Sequence, residues 1–370
     1  PRLAAFAHSH SPRAAAARHE RSILAWKDLL DRMEDTIDPR SVVLSDPATG
    51  YSIPACTSHY TVCVLHQHGN PSDSLTIQRL AASRDVLSPY LGSADKARIC
   101  ERFRVEYVLV NQTFRRQLDL YTTRVGPEIA AKQRAALDAD SLLFERVWVV
   151  ESRGALYRVR RGHRVADSPP AIPVELEARL PEHVPAMEAD ARAGIDLVGV
   201  DIATPRVARG GVVDLVLYWR REGAAPTLPV RAHLRFDTPA PRGVPASLGL
   251  TKLDRLLRQR RNGTVYRLRR IHAPFDGQYG IERWPTDSIL VDNVHVFIPR
   301  NAALGVYTLK ATWFEEPLVP NLSLTDLLKD ADLYDGVAVG VVDVVDVDEA
   351  DEAEGTEGAE GAKETDAPGP

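Results

Sequence analysis

The chain has 370 residues, of which 44 % are hydrophobic and 26 % charged, and its formal net charge is −5 at pH 7. This length and composition allow real cores to be buried and suggest two domains of ordinary size. No run of about 18 apolar residues occurs, so the sequence predicts neither a membrane span nor a cleavable signal within these residues.

The two ends of the chain differ in composition from its middle. Residues 1–21 are rich in Ala, Arg and His and are predicted to be a connector. Residues 343–370 hold eleven acidic residues against Lys363 alone. Such a segment cannot bury enough apolar area to offset its ordering entropy, so we expect residues 344–370 to be a disordered acidic tail. A first residue Pro1 indicates a processed chain or a piece of a longer reading frame.

The first half alternates helices with short, unbroken apolar strands. Apolar residues at helical spacing from Ile23 to Met33 predict an amphipathic helix that must end before Pro39. Strands are then predicted at 41–45, 60–65 and 105–110, helices at 74–87, 94–103 and 126–137, and a hairpin at 144–159. A strand that is apolar throughout needs cover on both faces, so residues 22–165 are predicted to form a small α/β layer domain.

The pattern changes in the second half. Residues 166–189 carry five prolines and predict an extended linker between domains. From Ile195 onward, apolar and polar residues alternate with a period of two, and Gly and Pro turns separate the segments. Strand candidates lie at 212–219, 230–236, 264–271, 288–298 and 305–313, with a helix at 253–260 and a short turn at 323–328. Residues 190–343 are therefore predicted to be an all-β domain, an antiparallel β-sandwich.

Three phrases in the first half carry a resemblance to a known family. They are Ser-Asp-Pro-Ala-Thr-Gly-Tyr-Ser-Ile-Pro-Ala at 45–55, His-Gln-His-Gly-Asn-Pro-Ser-Asp at 66–73 and Tyr-Val-Leu-Val-Asn at 107–111. In this order and spacing they resemble the soluble, extracytoplasmic C-terminal region of bacterial polytopic membrane glycosyltransferases of the GT-C type, which use lipid-phosphate sugar donors.

The second half has a resemblance of its own. Phrases at 284–287, 291–292, 297–299 and 304–309 look like the jelly-roll-type sandwich that follows the α/β unit in the same proteins. Thr286 stands where that family usually has Gly, and Val306 where it usually has Thr. The resemblance implies an accessory region on the extracytoplasmic face of the inner membrane, whose partner is an upstream membrane domain that holds the donor site. Such a fragment is expected to be inactive alone.

Polar side chains follow two strands of the predicted α/β sheet. Asp46 follows the first, and His66, His68 and Asp73 follow the second. Ligands of α/β sheets bind beyond the carboxyl ends of strands, so these four residues are a candidate polar pocket or, in another interpretation, a metal site. The simpler interpretation is that Asp46 caps a helix begun by Pro47 and that the histidines bond to the loop backbone. We expect no metal and no cofactor.

Other chemistry finds little support in the sequence. No GxSxG elbow or phosphate-binding glycine loop occurs, so a serine triad or nucleotide chemistry is not expected. Cys56, Cys63 and Cys100 lack CxxC spacing. The sequence leaves open whether Cys56 and Cys63 form a disulfide or remain free thiols.

Basic and aromatic residues in the second half are candidates for ligand contact. Seven arginines lie between residues 252 and 270, and those proposed to contact an anionic lipid headgroup or a glycan are Arg255, Arg258, Arg260 and Arg261. A solvated basic face is the simpler interpretation, and no nucleic-acid module is recognised. Tyr279 and Trp284 lie in a Gly and Pro loop, where exposed rings would stack on a sugar, whereas Trp219 and Trp313 are expected to pack.

The preferred reading is a non-catalytic region of a membrane glycosyltransferase that positions a glycan acceptor or a partner. A secreted carbohydrate-recognition protein is the first alternative. A small metal-assisted enzyme centred on Asp46 and His66 is the second. Hydrophobic spans in the reading frame upstream of Pro1 would separate the first reading from the others.

Overall fold

The structure is a computed structural model that describes residues 26–65, 75–114, 118–119, 123–160, 168–187, 194–226, 229–237, 267–300, 302, 304–315 and 336–346. In these ranges the chain is of mixed α and β type, with five helices and sixteen strands in several sheets. It divides into two compact units. The α/β unit comprises the described residues up to Val174 together with Phe275–Arg283, and the β unit comprises Glu175–Pro274 and the described residues from Trp284 onward.

The α/β unit contains all five helices of the described ranges. They are α1 (26–34), α2 (Pro47–Cys56), α3 (Thr76–Leu87), α4 (Ser93–Arg102) and α5 (Pro127–Ala139). Its strands are β1 (Val42–Leu44), β2 (Tyr60–Thr61), β3 (Tyr107–Asn111), β4 (Leu118–Asp119), β5 (Arg124–Val125), β6 (Phe144–Val150) and β7 (Gly154–Val159). The helices and strands predicted for this half are present, except that β2 covers only two residues of the predicted 60–65.

The main sheet of this unit has the order β2-β1-β3-β7-β6. Strands β1, β2 and β3 are parallel, whereas β7 is antiparallel to both β3 and β6. Successive residues of β3 alternate between two cores: Val108 packs in one, with side chains of α3, α4 and α5, and Leu109 in the other, with side chains of α1. The unbroken apolar strand is thus explained by helices on both faces of the sheet.

The segment Phe275–Arg283 belongs to the α/β unit, although the sequence analysis assigned it to the sandwich. A turn at Pro274–Gly277, in which Phe275 and Asp276 have φ of 52° and 53°, opens it, and a 3₁₀ turn at Ile281–Arg283 closes it. Arg124 contacts Asp276 at 3.1 Å, and the buried amide Nε2 of Gln133 donates to Oε1 of Gln278 at 2.8 Å. These contacts join residues far apart in sequence, so strand periodicity within 190–343 could not have indicated them. We call Phe275–Arg283 the inserted segment.

The β unit consists of strands in two sheets. Its strands are β8 (Leu176–Glu177), β9 (Ile195–Ile202), β10 (Arg206–Ala208), β11 (Val212–Arg221), β12 (Val230–Asp237), β13 (Arg267–His272), β14 (Ile289–Phe297), β15 (Gly305–Glu315) and β16 (Val337–Val345). One sheet has the order β10-β16-β15-β12-β13 and the other β8-β14-β11-β9. All pairs in them are antiparallel except β10 with β16, which is parallel.

The predicted start of the acidic tail at residue 344 is wrong. Val344 and Val345, which we assigned to the disordered tail, end strand β16 and are buried. The tail prediction failed at these residues because the acidic composition of the following segment obscured a short apolar alternation. The rest of the tail, residues 347–370, lies outside the described residues, as do the predicted helix at 253–260 and the turn at 323–328.

The described part of the predicted linker, residues 168–187, contributes to both units. Residues 168–174 belong to the α/β unit, and residues 175–187 belong to the β unit. In the α/β unit, the amide of Ile172 donates to the carbonyl of Pro89 at 3.0 Å. In the β unit, Leu180 and Val184 lie on Val198 and Tyr218 of the four-stranded sheet. Gly199 faces both side chains, and a Cβ there would lie 2.8 Å from each. The proline content gave no sign that apolar residues of this segment cover a sheet.

A buried polar cluster connects the two sheets of the β unit. Nε2 of His272 on β13 lies 2.9 Å from Oδ2 of Asp292 on β14, and the indole N–H of Trp219 donates to the same oxygen at 3.3 Å. These three residues are buried. Buried polar groups are costly without partners, and here residues of β13 in one sheet and of β11 and β14 in the other satisfy one another.

Candidate functional site

Asp46 lies at the carboxyl end of β1, where the sequence analysis placed a candidate pocket, and it caps helix α2. Its Oδ1 accepts from the backbone N–H groups of Ala48 and Thr49 at 3.0 and 2.9 Å, and its Oδ2 accepts from the Thr49 hydroxyl at 2.6 Å. Pro47 opens the helix, as expected for a residue with no N–H to satisfy. Burial raises the pKa of Asp46 above its ordinary value, although the three hydrogen bonds act to lower it.

Neighbouring polar residues extend this network to β3. The side-chain amide of Asn111 donates to the Thr49 hydroxyl at 2.9 Å, and the Ser45 hydroxyl donates to the Leu109 carbonyl at 2.7 Å. Both residues are buried, like Asp46. Residues 45–55 and 107–111 are two of the three phrases that carry the family resemblance. They therefore hydrogen-bond to each other and hold α2 against the sheet.

The other three candidates for this pocket, His66, His68 and Asp73, lie outside the described residues. Within the ranges that the structure describes, no group of three or more His, Cys, Asp or Glu side chains is placed to hold a metal ion. All three cysteines are free, and burial raises the pKa of the Cys63 thiol to about 12, which keeps it protonated at neutral pH.

Replacement of the cap tests its role in stability. We expect Asp46→Ala to lower the free energy of unfolding by about 0.5 to 2 kcal/mol, because two backbone N–H groups lose their acceptor. Chemical denaturation would measure the change. The control is Asp31→Ala, which removes an exposed partner of Lys27 on α1 and should cost about 0.5 kcal/mol or less. An Asp46→Ala variant as stable as the parent would indicate a carboxylate kept for a ligand instead.

The aromatic candidates for glycan contact differ in exposure. Trp284 is only 2 % exposed and packs against Trp219 with ring centroids 6.0 Å apart. This burial corrects the expectation that Trp284 offers its ring to a sugar; the loop around it is Gly and Pro rich, but the ring turns into the core of the β unit. Tyr279 is partly exposed, and its hydroxyl donates to the Arg283 carbonyl at 3.1 Å. Arg255, Arg258, Arg260 and Arg261 lie outside the described residues.

A charged cluster within the α/β unit holds the inserted segment. Arg84 and Asp85 at the end of α3 are buried, and Arg84 Nε donates to Asp85 Oδ1 at 2.8 Å. From the inserted segment, Arg283 donates to Asp85 Oδ2 at 2.8 Å from Nη2 and 3.1 Å from Nε, and Glu282 accepts from Arg84. Desolvation acts to raise the pKa of Glu282, but the charges of Arg84 and Arg283 and the hydrogen bonds to the carboxylate together lower it, so the net pKa lies below its ordinary value.

A cleft of about 700 Å³ lies beside this cluster. The residues that line it include Tyr90, Asp95, Ser168, Tyr279, Glu282 and Arg283, all of the α/β unit. The Tyr90 and Tyr279 rings lie 6.1 Å apart, and each packs edge-on against Phe275 at 5.5 Å. Apart from Tyr279, these residues were not candidates in the sequence analysis. The only sequence signal that could have indicated contact between the end of α3 and the inserted segment is charge. Arg84 and Asp85 are complementary in charge to Glu282 and Arg283.

Lys96 is a buried titratable group in α4 that the sequence analysis did not single out. Burial lowers its pKa from 10.5 to about 8, although the nearby Asp140 carboxylate acts in the opposite direction. Between about pH 8 and 10.5 the unfolded chain binds a proton at this residue that the folded chain does not. Stability should therefore rise with pH in this window, and at pH 7 the full cost of burying the charge is present.

We therefore expect Lys96→Met to raise the free energy of unfolding at pH 7 by about 1 to 3 kcal/mol, since one pKa unit corresponds to ~1.4 kcal/mol. The gain should shrink toward zero as the pH approaches ~10.5. Urea denaturation at pH 7 and pH 10 would measure both values. The control is Lys132→Met, at a half-exposed amine, which should leave the free energy of unfolding unchanged at both pH values. A destabilised Lys96→Met variant at pH 7 would contradict the direction of this shift.

No family model matches the chain, and no curated protein is significantly similar to it. Among the helices that the structure describes, none is long and apolar enough to cross a membrane.

Proposed function

We propose that this chain is a non-catalytic, extracytoplasmic region of a bacterial membrane glycosyltransferase of the GT-C type and that it positions a glycan acceptor or a partner. One observation carries the proposal: the polar residues of the resemblance phrases hydrogen-bond to one another. Asp46 caps helix α2 and accepts from Thr49, and Asn111 of β3 donates to Thr49 of that helix. Phrases with a structural role are those expected of an accessory region whose catalytic groups lie elsewhere.

The order of the two units supports the same proposal. A helix-covered sheet precedes two all-β sheets, as the family resemblance implies. We propose that the β unit is a sandwich of the jelly-roll type. In its favour, the chain passes from β9 in one sheet to β10 in the other, and Ile202 of β9 lies against Gly340 of β16.

A secreted carbohydrate-recognition protein remains the second candidate, because the cleft beside Tyr279 combines aromatic rings with charged side chains. The metal-assisted alternative has less support, since Asp46 is buried and already accepts three hydrogen bonds from the helix it caps.

The first test is to read the frame upstream of Pro1, where we expect several apolar segments of about 20 residues. The second is to assay transfer from a polyprenyl-phosphate sugar by the purified chain and by the longer protein. The chain alone should be inactive and the longer protein active. Turnover by residues 1–370 alone, abolished by a point change within them, would refute the accessory role.

A further inference from the structure

We infer that the cleft beside the inserted segment is a binding site for a neutral sugar. The inference rests on the proposed function, because it names the ligand class through which an acceptor would be positioned. It depends on four side chains of the cleft: Tyr90, Tyr279, Asp95 and Arg283.

The aromatic residues provide a surface for the apolar face of a sugar ring. Tyr90 and Tyr279 both line the cleft and are partly exposed. Their positions are held by Phe275, which is buried and contacts both rings edge-on. A tyrosine ring is an apolar body with a polar tip and has few rotatable bonds, so it contacts a ligand at low entropic cost.

The polar residues provide planar hydrogen-bonding groups for hydroxyls. Asp95 is about one-third exposed, and its Oδ2 lies 3.5 Å from Nη1 of Arg283, while Arg98 binds its Oδ1. A carboxylate has about four acceptor positions, so Asp95 can accept from sugar hydroxyls while it keeps these contacts. Hydrogen bonds to a charged acceptor are the stronger kind.

Charge balance favours a neutral ligand. Asp85, Asp95 and Glu282 carry three negative charges, and Arg84, Arg98 and Arg283 carry three positive ones. Each of these guanidinium groups is already paired with a carboxylate. A phosphate or a uronate would meet the neighbouring carboxylates of Asp95 and Glu282, whereas a hydroxyl donates to those carboxylates without disturbing the pairs.

The experiment is ligand-observed NMR on the full chain with glucose, galactose, mannose and arabinose, and with glucose 6-phosphate as the anionic comparator. We expect at least one neutral sugar to bind with a dissociation constant on the order of 1 mM, as for a ligand of about a dozen heavy atoms. Asp95→Ala should weaken binding about tenfold. Tyr279→Leu, which keeps apolar volume but removes the ring, should weaken it at least fivefold.

The matched control is Glu145→Ala, which removes a half-exposed carboxylate of β6 that pairs loosely with Arg158. It should bind the sugar like the parent. Asp95 is partly exposed, so its variant is expected to fold even if Tyr279→Leu does not, and thermal melting of each variant checks this.

Three outcomes would overturn the inference: no binding by any of the four neutral sugars, binding that Asp95→Ala leaves unchanged, or tighter binding of glucose 6-phosphate than of glucose. None of them bears on the membrane-protein proposal, which the upstream reading frame tests separately. Conversely, suppose that a neutral sugar binds, that Asp95→Ala abolishes this binding, and that the upstream frame encodes no membrane spans. That result would support the sugar site in the cleft and refute the glycosyltransferase proposal.

Discussion

Arg84→Ala is expected to lower the free energy of unfolding of the α/β unit by about 3 to 5 kcal/mol. Its guanidinium is buried and pairs with Asp85 and Glu282. Removal of one partner leaves the buried Asp85 carboxylate with Arg283 alone, and a buried charge that loses a partner is costly. Hydrogen exchange of the β1 and β3 amides would report the stability of this unit separately from that of the β unit.

The control for this variant is Arg153→Ala, which breaks an ion pair with Asp28 of similar length, 2.7 Å, whose two partners are about half exposed. Exposed pairs contribute about 0 to 1 kcal/mol, so the control should change stability little. The same loss in both variants would contradict the assignment of a special role to the buried cluster. Arg84→Met, which keeps apolar volume, should recover part of the loss if lost packing contributes to it.

Trp284→Ala is expected to destabilise the β unit by about 3 to 5 kcal/mol, the range for loss of a large buried aromatic side chain. Trp284 packs on Trp219, which is fully buried, and its backbone carbonyl accepts from Arg221 at 2.9 Å. Hydrogen exchange of the β11 and β14 amides would measure the effect. An exposed, sugar-stacking Trp284 would predict almost no change in stability.

Phe297→Ala is the matched control in the same unit. Phe297 ends β14 and is 60 % exposed, so its removal leaves no cavity and should change stability by about 0.5 kcal/mol or less. Comparable effects at the two positions would show that the burial of Trp284 does not determine its role.

Local patterns in the sequence were sufficient for most secondary structure. The unbroken apolar run at Tyr107–Asn111 predicted a strand covered on both faces, and Asp46-Pro47 suggested a helix cap; both are present. Alternation with period two located β11, β12, β14 and β15 within a few residues. These features depend on neighbours one to four positions away, so a single sequence contains them.

Long-range pairing was decided by the tertiary structure alone. The inserted segment joins the α/β unit because Arg283 meets Asp85 and Gln278 meets Gln133, at separations of 198 and 145 residues. Trp284, which follows directly, is buried in the other unit, so a Gly and Pro loop that looked exposed divides its residues between two cores. Composition and periodicity describe how a segment folds locally. Burial depends instead on which distant surface the segment meets, and charge complementarity over such separations leaves no periodic signal in the chain.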